Sequence, residues 1–281
     1  MSALTQKRTD GYKPLFFLFC LFALGWITIL LYAGGMTTSI KAGMAFLDWP
    51  LSNGSVNPAG WLTESDKMAE HSHRLLGMKI GLLSIGLFLW TYLRESRDWV
   101  RTLARVLLWV VILQGLLGGA RVRFDQLNIM SDHNLLAQSF AVVHACGAMV
   151  VLGILVTLTL ASTRRWIEAS AGLNVQQPTD VKRWGIIATV SIFLQILVGA
   201  IMRHADAGLA LVKFPMSTAT NWLPTYWNFD VSVHFAHRIG AIIVTVILLV
   251  FLCKLWGSPT AKRALGYGAL FLAVILGLQI S

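Results

Sequence analysis

Seven apolar runs, broken by polar and charged segments, set the pattern of this chain: about 15–34, 74–93, 104–120, 136–160, 184–202, 234–253 and 264–281. Each is close to 20 residues, the length a helix needs to cross a hydrocarbon layer about 30 Å thick. Within each run the apolar positions are continuous instead of alternating, which predicts helices and argues against barrel strands. The expected fold class is an all-α polytopic membrane protein with seven transmembrane helices.

Composition agrees with that pattern. Hydrophobic residues make up 56% and charged residues 13% of 281 positions, and mean hydropathy is +0.66, which leaves a water-soluble core of this size without support. Lys and Arg number 14 in the N-terminal tail and alternate loops (Lys7, Arg8 and Lys13; Arg94 to Arg105; Arg164 to Arg183; Lys254 to Arg263) and six in the others. The bias puts the N-terminus in the cytoplasm and the Trp-containing loops outside. The net charge of +10 reads as this bias plus contact with anionic lipid, and nucleic-acid binding is not expected. Cys20, Cys146 and Cys253 fall within the runs with no C-x-x-C spacing, so they read as small apolar helix residues. The run after Lys13 reads as a first transmembrane helix instead of a cleavable leader, and no Arg- and Ser-rich transit stretch is seen. Both favour a bacterial plasma membrane.

The chain also repeats itself. His73-Arg74 recurs as His237-Arg238 at an offset of 164; Ala42-Gly43-Met44-Ala45 with Pro50 recurs as Ala207-Gly208-Leu209-Ala210 with Pro215 at 165; Gln114 maps onto Gln279. A duplicated membrane unit is expected, with halves at 1–165 and 166–281 and a histidine in each.

Ionisable groups inside spans carry the chemical information, because each costs free energy unless it has a partner. His73, His144 and His237 sit on predicted spans or at their ends. Neutral imidazoles on facing helices can take the two axial positions of an iron porphyrin, and His73 with His144 can form such a pair; hydrogen bonding to a neighbouring helix is the structural alternative. Arg74 and Arg238 are placed to meet propionates or a loop carboxylate, or else to snorkel to headgroups. Glu70 lies one turn before His73 and can act at a porphyrin edge, or sit solvated on the entry turn begun by Thr63-Glu64-Ser65-Asp66. His234 stands where the repeat would put a second Glu70, so the halves are alike in ligation and unlike in the acid. Gln114-Gly115-Leu116-Leu117-Gly118-Gly119 and Gln195-Ile196-Leu197-Val198-Gly199-Ala200 read as close-packing segments. Trp49, Trp61, Trp222, Tyr226 and Trp227 read as an interfacial belt, with a lid over a cofactor edge as the other reading.

Taken together, Asp48-Trp49-Pro50, Glu70-His71-Ser72-His73-Arg74, Gln114 with Leu117-Gly118, His144 and His237-Arg238 resemble the heme A synthase family, from about residue 16 to the end of the chain. The resemblance implies two four-helix-bundle halves related by pseudo-twofold symmetry, each with a histidine pair for a heme. It implies a catalytic N-terminal half that oxidises the methyl group of heme O to the formyl group of heme A through successive hydroxylations, with Glu70 as acid or base, and a C-terminal half holding heme b. Heme O synthase and cytochrome oxidase assembly factors are the implied partners, and self-association as a homo-oligomer is compatible with it. Two departures stand out. The cysteine pair some members carry in the first outer loop is missing between Ala33 and Glu70, and the chain ends before an eighth span. Seven of eight helices are therefore expected, with the C-terminal half incomplete and the counterpart of His144 falling beyond Ser281. A heme-binding electron-transfer or heme-handling membrane protein without methyl oxidation is the runner-up; a transporter with inverted repeats comes third.

Overall fold

The computed structural model describes residues 11–126, 135–172, 178–218 and 220–280; Lys7 and Arg8, counted in the charge bias, lie outside them. Its regular elements are helices: α1 (Pro14–Ser39), α2 (Ser65–Arg94), α3 (Asp98–Gln126), α4 (Leu135–Ser162), α5 (Arg164–Gly172), α6 (Thr179–His204), α7 (Phe229–Gly257) and α8 (Pro259–Ile280), with a 3-10 turn at Ala207–Leu209. α1 to α4, α6 and α7 are each long and apolar enough to cross a membrane, and α8 contains a shorter apolar stretch, Leu265–Gln279. Every apolar run expected to be helical is helical, and the chain is a multi-pass all-α membrane protein.

Local chemistry explains several boundaries. Pro14 opens α1, where its fixed φ suits the first turn and its missing N–H costs nothing. Asn228 caps α7, its Oδ1 accepting from Val231 N at 2.8 Å. Within the apolar helices hydroxyls return to the carbonyl four residues back, Thr28 to Leu24 and Thr157 to Gly153, which satisfies those donors inside the helix. α2 begins at Ser65, nine residues before the apolar run, so Glu70, His71 and His73 all ride on its first turns. α5, a polar helix in what reads from sequence as a basic loop, was not anticipated.

The chain divides into two compact units, Met1–Leu173 and Asn174–Ser281. In the first, α1 packs on α2, α2 on α3, α3 on α4 and α4 back on α1, closing a four-helix ring. Phe16, Cys20, Ala23 and Ile27 form the buried stripe of α1 and meet Leu87, Leu107, Val151, Leu155 and Leu158 from the other helices. In the second unit α7 lies between α6 and α8, and Val181, Leu252, Leu255, Ala261 and Ala269 make its core.

Candidate functional site

At one end of the four-helix ring the C-terminal turns of α1 and α3 meet the N-terminal turns of α2 and α4. His73 of α2 and His144 of α4 face each other there, ring centroids 6.5 Å apart and planes at 87°. Two imidazoles on opposite sides of one iron, with metal–nitrogen bonds of about 2 Å, put their centroids about 6 Å apart. The pair therefore fits the two axial positions of an iron porphyrin, which brings its own four equatorial nitrogens. Among the described residues no group of three or more His, Cys, Asp or Glu side chains could hold a bare metal ion.

Both rings rest on main chain. A β-carbon at Gly34 of α1 would lie 2.8 Å from His73 Cε1, and one at Gly118 of α3 would lie 3.5 Å from His144 Cε1. In the second unit a β-carbon at Gly199 of α6 would lie 3.0 Å from His237 Cε1. At Gly34 and Gly199 glycine lets the imidazole approach the neighbouring helix more closely than a β-carbon allows, whereas at Gly118 a β-carbon would sit in ordinary contact.

Glu70 is not on a solvated turn: it is 4% exposed. Its Oε2 accepts from Phe46 N at 3.1 Å, and its Oε1 is ion-paired with Arg74 one turn on. Arg74 does not snorkel. Its terminal nitrogens donate to the carbonyls of Phe46 (3.1 Å), Asp48 (2.6 Å) and Leu51 and to Glu70, so the loop of residues 40–64 is wrapped around its guanidinium. Within the protein the carboxylate it meets belongs to its own helix, and loop carbonyls converge on its planar donor fork. Arg238 repeats the arrangement, donating to Leu211 O at 2.6 Å and Met216 O at 3.3 Å.

The loop is stiffened from within. Asp48 receives the amides of Asn53 and Gly54, each at 2.7 Å. Burial alone would raise its carboxyl pKa, but hydrogen bonds from Gly54, Asn53 and its own backbone, together with the Arg74 charge, hold it below the usual carboxylate range. Asn53 and Gly54 both adopt positive φ (51° and 68°), which turns the chain back toward Asp48. Trp49, 45% exposed, lies on Gly119 of α3.

Sequence reading passed over His71. It is 3% exposed, shares a hydrogen bond of 2.9 Å between Nδ1 and Ser52 Oγ, and meets Trp61 edge-on with centroids 4.8 Å apart. Its neighbour His73 drew attention through the repeat; His71 faces another way round the helix and fastens the loop. Gln195, read as part of a packing segment, touches His237: Nε2 is 3.1 Å from Nδ1 and donates to the His237 carbonyl at 2.8 Å.

Comparison with known proteins follows from this geometry. The chain is 30% identical to the heme A synthase of Shouchella clausii over 245 residues, 85% of this chain and 74% of that protein. It is 27% identical to the heme A synthase of Symbiobacterium thermophilum, covering 90% and 78% of the two chains, and 30% identical to that of Bacillus licheniformis, covering 76% and 67%. Residues 62–281 match the family described as cytochrome oxidase assembly protein, COX15-CtaA, and the chain belongs to that family.

Proposed function

We propose that this chain is a heme A synthase, an oxidoreductase that converts the methyl group of heme O to the formyl group of heme A for cytochrome oxidase. The observation that carries the reading is the opposed pair His73 and His144 with a buried carboxylate, Glu70, one helical turn from the first. The bound iron porphyrin supplies the redox chemistry. The protein's part is to hold the porphyrin between two imidazoles, to exclude water with the Arg74-bound loop, and to place a proton acceptor at the reacting edge.

Glu70 fills that last role. Paired with Arg74 in a dry site, its carboxylate would accept a proton from the substrate and return it later. The first unit is the reacting half. In the second, His237 would hold a resident heme b, with Arg238 fastening the outer loop as Arg74 does in the first. The membrane is a bacterial plasma membrane with the N-terminus in the cytoplasm. Supply of heme O by its synthase and hand-over to oxidase assembly factors complete the proposal, and a homo-oligomer is compatible with it.

Two measurements test it together. Purified protein should show a low-spin Soret spectrum, and membranes of heme O-producing cells should gain heme A, by pigment chromatography, when the chain is expressed. Heme bound without heme A would leave a heme-binding protein and overturn the enzymatic reading.

A further inference from the structure

The imidazoles of His144 and His237 share a feature that the one of His73 lacks. Gln195 sits on α6 four residues before Gly199, the glycine beneath the His237 ring, and its amide group occupies the space that a β-carbon at Gly240 would need. Gln114 on α3 stands four residues before Gly118, beneath His144, and its amide fills the corresponding space at Gly147. Each of these second glycines follows its histidine by three residues. The likeness runs across the 165-residue repeat, not along it. Along the repeat Gln195 corresponds to Leu30 (195 − 165) and Gly240 to Leu76 (240 − 164), so His73 has a leucine pair where the others have glutamine and glycine.

We propose that Gln195 is a positioning residue for His237, fixing the ring through a hydrogen bond between its side-chain amide and Nδ1 and thereby tuning it as a heme ligand. The inference rests on the heme reading above. A carboxamide suits the task because it carries both donor and acceptor. In the arrangement seen, Nδ1 accepts from the amide nitrogen and the imidazole proton lies on Nε2. With Nε2 on iron the proton would sit on Nδ1, and the amide, turned over about its last torsion, would accept it through oxygen in place of the bond its nitrogen makes to the His237 carbonyl. Such a bond raises ligand basicity and favours ferric iron. Leucine, close in size to glutamine, removes the bond and keeps the packing.

The experiment uses the full chain with its heme, and His237→Ala first identifies which heme signal belongs to that site. Gln195→Leu should keep this heme on purification but move its midpoint potential to more positive values, shift its electron paramagnetic resonance signal, and release heme roughly tenfold faster. Gln195→Glu, a stronger acceptor, should move the potential the other way. A packing role alone would not give shifts of opposite sign. Potentials that stay put, or move in the same direction in both variants, overturn the inference. Wild-type protein without heme, or His237→Ala with unchanged spectra, overturns the heme reading of the second unit instead.

Discussion

Glu70 and His234 do the same mechanical job in the two units. Glu70 accepts the amide of Phe46 at 3.1 Å, His234 accepts the amide of Leu211 at 3.2 Å, and Phe46 and Leu211 are themselves 165 residues apart. Both groups are buried, at 4% and 8% exposure. The loop anchor is thus duplicated while the chemistry it offers is not: one unit has a carboxylate there, the other an imidazole.

That difference makes Glu70→Gln the sharpest test of catalysis. The amide retains an oxygen for Phe46 N and most of the volume, so fold and heme content should persist. Conversion of heme O should fall by about a hundredfold or more, the usual share of a positioned acid or base. Heme A formed at the wild-type rate would remove Glu70 from the mechanism.

Replacing His73 or His144 with Ala should each abolish the low-spin spectrum of the first unit, because either change leaves the iron with a single protein ligand. Retention of that spectrum in both single variants would separate the facing imidazoles from ligation.

Gly34→Ala and Gly35→Ala differ by one position and should differ in outcome. A β-carbon at Gly34 would press on His73 at 2.8 Å, whereas nothing lies within 4 Å of one at Gly35. The first should cost about 1–3 kcal/mol of overpacking and lower heme content; the second should leave both intact. Equal heme occupancy in the two purified variants would show that the ring does not rest on Gly34.

The opposite end of the first unit should respond to acid. Glu95 accepts from Arg97 N and Nε at 3.0 and 2.9 Å and from its terminal nitrogen at 3.0 Å, while Arg97 also donates to Ala161 O at 2.8 Å. Burial pushes the Glu95 carboxyl up, but the Arg97 hydrogen bonds and charge outweigh it, aided by Lys13, and hold it below its ordinary value. A depressed carboxyl pKa stabilises the fold fully above the unfolded value of about 4.3, and the contribution is lost as pH falls through the folded value. Thermal unfolding of detergent-solubilised protein should therefore show a loss of stability below about pH 4.3. Glu95→Gln should weaken that dependence and cost about 1 kcal/mol at neutral pH. An unchanged acid profile would mean that Glu95 does not contribute.

Helices were legible because lipid demands continuous apolar length, and each of the seven runs marks one. Their ends were not: hydrogen bonding carries α2 back to Ser65 and α3 on to Gln126, where hydropathy no longer applies. α5 escaped because it is nine residues long and polar. The three histidines were visible as ionisable groups in apolar surroundings. Their partners were not, because whether Gln195 meets His237, or Gly34 lies under His73, depends on how α6 turns toward α7 and α1 toward α2. That rotation is a property of the helix pair, and neither sequence segment states it alone.

The rings of His73, His144 and His237 lie on the backbone of a neighbouring helix, with no side chain between. Their coordinates are then written in the separation of helix axes, which a glycine at each crossing is enough to set. Side chains on the outer faces of these helices have no say in it. Such a scaffold can exchange the greater part of its sequence by drift while the imidazoles stay where they are, so relatives at 27–30% identity are what its geometry would be expected to tolerate.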